Sequence, residues 1–530
     1  MLIQIKDLII THRKELHTLV SDFQLVLQDG DKAVIIGEEG NGKSTLLQWI
    51  YDPGRIAGYA EAKGGRILGN EKTAFLPQEL EPEEKEKTVY EFFSEEDAFF
   101  LQSPGELGRM AKDFGVESEF YYRDQRMGAL SGGEKIKAQL MRILMGKPDI
   151  LLLDEPSNDV DMDTLLLLQK LICGWKKIVL FVSHDEALIT HTANMVIHLE
   201  QIRRKTQSRY TVKHLCYEEY VRAREDLFET QARQASNERK EKRKRDEKYQ
   251  RILQSVHHAQ NSVSRQDPHS AALLKKKMHS VKAIGRRFEK LDTGMAELPD
   301  REEAIGFRID AEYRIPAGKT VLDYSLDVLK SPDGEKILAE NIRLVVRGPE
   351  KICIIGKNGA GKTTLIRDIA RTFADRKDLK VEYMPQSYED SLDMEQTPVD
   401  YLDSQGSREE QTRIRTYLGT LKFTPEEMEH PIGGLSGGQK AKLFLLKMSM
   451  SHADLLILDE PTRNLSPLSG PVIRKMLKEF GGAIISVSHD RKYIEEVCSR
   501  VLQLTEGGLK EASTSFEEVP YGDTFHVQRE

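Results

Sequence analysis

The chain has little cysteine, no long apolar run and, over one stretch of nearly forty residues, neither proline nor glycine. Its four cysteines, Cys173, Cys216, Cys353 and Cys498, lie far apart and form no CxxC pair. That speaks against a disulfide framework or a metal cluster and leaves buried free thiols as the expectation. No apolar run approaches the ~20 residues needed to cross a bilayer; runs such as 150–153 and 455–458 are the length of a buried strand. The N-terminus opens on an alternating pattern (Met1, Leu2, Ile3, Gln4, Ile5) instead of a charged region followed by an apolar one. No secretory signal is expected, and the expected location is cytoplasmic.

What is present begins with charge. A chain of 530 residues with 39% apolar and 31% charged side chains should fold as two or more domains, each with its own core. The whole carries −8, yet residues 231–290 hold 17 Lys and Arg against 6 Asp and Glu, so everything outside that segment sums to −19. Basic charge concentrated in one place makes a polyanion the natural partner. Overlapping that segment, residues 218–256 hold neither proline nor glycine and read as one solvent-exposed helix of roughly 58 Å. Asp267-Pro268 then breaks it. On the return, Leu274, Met278, Val281, Ile284, Phe288 and Leu291 follow steps of 4, 3, 3, 4 and 3, a heptad-like seam compatible with Tyr249, Leu253 and Val256 on the outgoing arm. The expectation is an antiparallel helical hairpin, apolar inside and basic outside. Its candidate RNA-binding residues are Arg265, Lys275, Lys276, Lys277, Lys282, Arg286 and Arg287. Such a coiled coil is ordinarily a solvated spacer, and the positive imbalance is what argues otherwise.

On either side of the hairpin lies a nucleotide-handling pattern. Lys32 to Ile36 is a short apolar strand running into Gly37-Glu-Glu-Gly40-Asn-Gly42-Lys43-Ser44-Thr45, which fits GxxxxGK[ST] with a strand before it and a helix after it. The glycines let the backbone N–H groups turn inward on a phosphate, Lys43 neutralises β/γ charge, and Ser44 is placed to ligate Mg²⁺. Asp154 and Glu155 end the apolar strand 150–153; Asp154 reads as a metal ligand and Glu155 as the base that orients attacking water. Leu130-Ser131-Gly132-Gly133-Glu134 forms a second phosphate-seeking helix start, with Ser131 placed 23 residues before Asp154.

These motifs, in this order, resemble the ATP-binding cassette superfamily. The resemblance implies that the Ser-Gly-Gly element caps ATP held by the opposite cassette. It also implies that Gln78 senses the γ-phosphate and Mg²⁺, and that His184, 29 residues after Glu155, is a catalytic switch histidine. His12 falls where the family often stacks a ring on adenine. The pattern then recurs. Gly356-Lys-Asn-Gly359-Ala-Gly361-Lys362-Thr363-Thr364 is a second P-loop, Gln386 a second sensor, and Ser436-Gly437-Gly438 a second signature; Asp459 and Glu460 form the acidic pair and His489 is the switch. The separations of 23 and 29 residues repeat without change, which identifies a duplication. One departure stands out: Ser466 replaces the aspartate, Asp161 in the first half, that in the family communicates between sites.

The fold class expected is therefore α/β, with two P-loop cassettes (1–215 and 299–530) joined by a long antiparallel helical hairpin (216–298). No further C-terminal domain is expected. Tandem cassettes, no membrane span and a basic hairpin resemble the ABC-F family of ribosome-associated ATPases. That resemblance implies two composite sites using ATP and Mg²⁺, and a monomer whose halves pair head to tail. It further implies binding in the ribosomal exit site against rRNA, with the hairpin directed at P-site tRNA and the peptidyl-transferase centre. Family roles include relief of stalled translation and protection against antibiotics. The rival is the fused energy subunit of a transporter, which would need a membrane partner; an ABC-E-like recycling factor would need a cysteine-rich cluster domain.

Overall fold

Parallel strands buried on both faces read as unbroken apolar runs, and two such sets build the molecule. The computed structural model describes residues 2–14, 16–68, 71–202, 206–262, 268–292, 315–373, 376, 378–403, 406–451 and 453–513. The chain forms two compact units, Met1–Tyr217 together with Glu302–Glu530, and Glu218–Arg301.

In the first unit the N-terminal half carries a six-stranded sheet in the order Thr73–Leu76, Ile150–Asp154, Ile178–Val182, Lys32–Ile36, Met195–Ile202, Gln207–Lys213. Only the last pairing is antiparallel. The C-terminal half repeats it as Val381–Met384, Leu455–Asp459, Ala483–Val487, Lys351–Ile355, Arg500–Thr505, Gly508–Ala512. Every residue of Ile150–Asp154 and Leu455–Asp459 is buried, because helices cover both faces of each sheet. An antiparallel sheet packs beside each: Thr18–Gln28, Leu2–His12 and Ala60–Leu68 in the first half, Thr320–Lys330 with Ile337–Arg347 in the second. Strand register places Asp154 beside Val182 and Asp459 beside Val487, so each acidic pair emerges next to the strand that leads to its switch histidine. Among the described residues no helix is long and apolar enough to cross a membrane, and no group of His, Cys, Asp and Glu is arranged to hold a metal ion by itself.

The second unit contains two helices, Tyr217–Ser262 and Pro268–Asp292. They pair antiparallel. Tyr249 meets Phe288 edge to face at 5.9 Å between centroids, Arg245 lies 4.6 Å over the Phe288 ring, and Asp292 takes both Arg245 and Lys242, the latter at 2.9 Å. The outgoing helix runs to Ser262, beyond the expected end near Val256, since nothing before the Asp267-Pro268 step breaks it. One seam residue is corrected. Val281 is buried and Leu274, Met278 and Phe288 are half-buried, but Ile284 is 43% exposed. Two consecutive three-residue steps, from Met278 to Val281 to Ile284, rotate about 60° each away from the seam at ~100° per residue. Gly285 takes the inward place instead, where a Cβ would sit 2.5 Å from the Tyr249 hydroxyl. Lys275, Lys276, Lys277, Lys282, Arg286 and Arg287 are all exposed; Arg265 lies outside the described residues.

Candidate functional site: two nucleotide pockets between the halves

Each P-loop turns from the central strand of its sheet into a helix, Lys43–Tyr51 or Lys362–Arg371. The residue before each lysine must take a left-handed backbone, with φ of 86° at Gly42 and 94° at Gly361, which glycine adopts without a Cβ penalty. Lys43 Nζ donates to the carbonyls of Gly37 and Glu38, both at 3.0 Å; Lys362 Nζ repeats this with Gly356 and Lys357 at 2.8 and 2.9 Å. The lysine thereby braces its own loop into a cradle. Burial lowers the pKa of Lys362.

Behind the cradles sit the acidic pairs. Ser44 Oγ donates to Asp154 Oδ1 at 2.9 Å, and Thr363 Oγ1 reaches Gln386 Oε1 at 3.5 Å. Burial pushes Asp154 up to about 7 and Asp459 up to about 6, and Asp459 Oδ2 is a buried oxygen with no hydrogen-bond partner among the described residues. A costly carboxylate with an unsatisfied oxygen beside a P-loop hydroxyl fits a divalent cation. Ser44, Gln78 and Asp154 in one half and Thr363, Gln386 and Asp459 in the other are the residues that would hold Mg²⁺, which supplies charge stabilisation on the transferring phosphoryl group when bound.

Glu155 and Glu460 share a conformation that is rare for a side chain of their kind. Their φ angles are 47° and 53°, and backbone strain of this sort persists where surrounding structure enforces it, typically at functional sites. The enforcement is visible: Glu155 N–H donates to the Val182 carbonyl at 3.0 Å and Glu460 N–H to that of Val487 at 2.9 Å. Their surroundings then diverge. Burial raises Glu155, but His184, with Nε2 3.3 Å from Oε1, together with Lys43 and Asn158 brings the carboxyl down to about 2; Gln78 Nε2 donates to it at 3.1 Å. Burial and the neighbouring Asp459 push Glu460 up to about 8, while His489, 3.9 Å away, falls to about 4 through burial and Lys362.

The signature serines cap their helices. Ser131 Oγ accepts from Glu134 N–H at 3.3 Å while Glu134 Oε2 accepts from Ser131 N–H at 3.0 Å, and Ser436 with Gln439 does the same at 3.3 and 3.0 Å. The Ser-Gly-Gly-Glu/Gln run is thus a capping box. A Cβ on Gly132 would collide with the Asp159 carbonyl, so that glycine is required by close approach of the loop after Glu155.

The halves combine these parts crosswise. A cavity of about 730 Å³ is lined on one side by Gly359, Gly361, Lys362, Thr363, Thr364, Gln386, Asp459, Glu460 and His489, and on the other by Ser131, Gly132 and Asp159. A smaller one, about 380 Å³, has Gly40, Gly42, Lys43, Ser44, Thr45, Gln78, Glu155 and His184 on its wall with Asn464 from the opposite half. Gly37, Gly133, Gly356 and Asp154 lie outside these walls, as do Ser436, Gly437 and Gly438, although Gly438 bonds to the first P-loop. His184 Nδ1 is 2.8 Å from the Leu465 carbonyl of the other half; a carbonyl only accepts, so Nδ1 carries a proton. His12 and Tyr59 share the smaller cavity with ring centroids 6.4 Å apart. Tyr59, Asn464 and the two P-loop glutamates were not foreseen; only the offset between Glu38-Glu39 and Lys357-Asn358 in the duplicated loops hinted at the last.

Residues 20–158 and 339–463 match the family described as ABC transporter, and full-length similarity extends across the hairpin to proteins named ABC transporter F family member 2 and 5 of Arabidopsis thaliana, 25% and 24% identical over 93% of this chain and 75% and 74% of theirs. The chain carries two such cassettes, and ABC-F proteins match it along nearly its whole length. The chain is also similar to the ribosome protection protein VmlR of Bacillus subtilis (strain 168), 29% identical over 91% of this chain and 83% of the relative. A further relative is the ATP-binding protein Uup of Escherichia coli (strain K12), 25% identical over 93% of this chain and 78% of its own length. The chain is an ATPase whose cassettes bind ATP. Among solved structures, archaeal aABCE1 in complex with the stalk protein aP1 shares the fold, with a TM-score of 0.56 and 18% identity over 95% of this chain and 89% of that one.

Proposed function

We propose that this chain is an ATP-switched clamp that acts on the ribosome in the cytoplasm, as a monomer, to regulate or rescue translation. The observation that carries the clamp is the larger cavity, where the Lys362 P-loop and the Ser131 signature face one nucleotide-sized space from opposite halves. ATP held there is gripped from both sides only when the halves are together, so binding favours closure by differential affinity and hydrolysis removes the grip. In this reading Glu155 and Glu460 position attacking water and His184 and His489 sense the γ-phosphate. The segments 1–215, 216–298 and 299–530 work as jaw, probe and jaw.

The ribosome enters through the basic hairpin and through VmlR, a relative named for ribosome protection. An exposed row of Lys275, Lys276, Lys277, Lys282, Arg286 and Arg287 suits rRNA and tRNA backbone phosphates. We place the clamp in the exit site with the hairpin towards P-site tRNA and the peptidyl-transferase centre. The test is cosedimentation with ribosomes over a salt series. Replacing Lys275, Lys276 and Lys277 together by Glu should weaken binding at least about tenfold and flatten its dependence on salt, because each neutralised phosphate adds roughly 0.7–0.9 to the slope of log K against log salt. Binding that is unchanged in both strength and slope would reduce the hairpin to a spacer, and recovery in membrane fractions would favour a transporter subunit.

A further inference from the structure

The two pockets differ in what faces the opposite signature. In the second P-loop the two residues after Gly356 are Lys357 and Asn358, and Asn358 Nδ2 donates to the Asp159 carbonyl at 2.6 Å. That leaves Ser131 and Gly132 open to the larger cavity. The first P-loop has Glu38 and Glu39 at the same places. Glu39 lines the smaller cavity, and its Oε2 accepts the Gly438 N–H at 2.5 Å, in the first turn of the signature helix Gly437–Ser451. It also sits 3.1 Å from where a Cβ on Gly437 would be. Glu38 is fixed beside it, both its oxygens 2.5 Å from the ammonium of Lys442, which is only 3% exposed. A carboxylate therefore stands where the facing helix start offers its N–H to an anion.

We propose that Glu39 makes the first ATP site discriminate against the γ-phosphate. This rests on the reading of the pockets as ATP sites. The terminal phosphoryl group of ATP and the Glu39 carboxylate would compete for one N–H, and two anions at that spacing repel. ADP ends at the β-phosphate inside the P-loop cradle and leaves the Glu39 bond intact. ATP must expel Glu39 to reach the signature, so the first site holds ADP well and ATP poorly, while the second site, with Asn358 in the same place, carries no such penalty. Glu38, through Lys442, is a positioning residue that keeps the carboxylate aimed.

The experiment is calorimetric titration of the full chain with Mg²⁺ and either a non-hydrolysable ATP analogue or ADP, in wild type, Glu39→Asn and Glu39→Gln, each also carrying Lys362→Ala to silence the second pocket. Both Glu39 variants should bind the analogue about tenfold or more tighter at the first site, the size of one charge-assisted hydrogen bond no longer opposed, with ADP affinity changing less than about threefold. The measured quantity is the ATP-to-ADP affinity ratio, which a merely structural role would not move. A ratio unmoved in both variants overturns the proposal, and so does analogue binding that weakens, since Glu39 would then be aiding closure. Absence of nucleotide binding at both pockets of the chain with Lys362 intact would instead sink the ATPase reading itself.

Discussion

Replacing Glu155 and Glu460 together by Gln is expected to lower the rate of phosphate release by about 10³-fold while leaving ATP binding in place. The magnitude is that of losing a positioned general base. Binding survives because Gln preserves the shape of the side chain, and the cradle bonds of Lys43, Lys362, Ser44 and Thr363 do not involve either glutamate directly. The consequence for the clamp is sharper than for the chemistry: a protein that closes on ATP and cannot hydrolyse it stays closed. In sucrose gradients with ATP the double variant should move entirely to the ribosome-bound fractions, and with ADP it should remain at the top. Turnover within about threefold of wild type would show that these two carboxylates do not act on water; loss of ATP binding would show that they serve the nucleotide instead.

The second large effect concerns how the halves are held. Arg474 is 3% exposed and spans them, donating to Glu186 Oε2 at 2.6 Å and to Glu496 Oε2 at 2.9 Å. Lys492 adds a bond to Glu186 Oε1 at 3.0 Å. Removing one member of a buried pair strands the other, and Arg474→Ala should cost about 3 kcal/mol, the lower end of such losses, because Lys492 still serves Glu186. The check is the urea midpoint of the full chain. Adding Glu186→Gln should recover part of the loss, a coupling that a double-mutant cycle reads directly. If Arg474→Ala leaves the midpoint where it was, this ionic bridge between the halves carries no stability.

The legible parts of this molecule were those written in one contiguous run. Each P-loop, signature, acidic pair and switch histidine is local, and their order and spacing repeat, so the α/β cassettes and the P-loop side of each pocket could be read directly, although the second signature, Ser436 to Gly438, lines neither cavity. The hairpin was legible from charge and from the absence of helix breakers up to Asp267-Pro268. What the order of residues concealed was any pairing across long separations. Glu39 meets Gly438 from 399 positions away, Arg474 meets Glu186 from 288, and no periodicity announces either. Ile284 was misplaced for a different reason: apolar character suggested an inward face, but helical geometry assigned that face to Gly285, whose lack of a side chain made room for Tyr249.

The bond from His184 to the Leu465 carbonyl acts as an interlock. It requires both halves in register; were they to part, the imidazole would lose this partner and the carboxylate beside it an orienting neighbour. On the proposed roles of Glu155 and His184, hydrolytic competence would then belong to the joined pair, and an isolated N-terminal half, though it carries its own lysine, acids and histidine, is expected to be a poor catalyst.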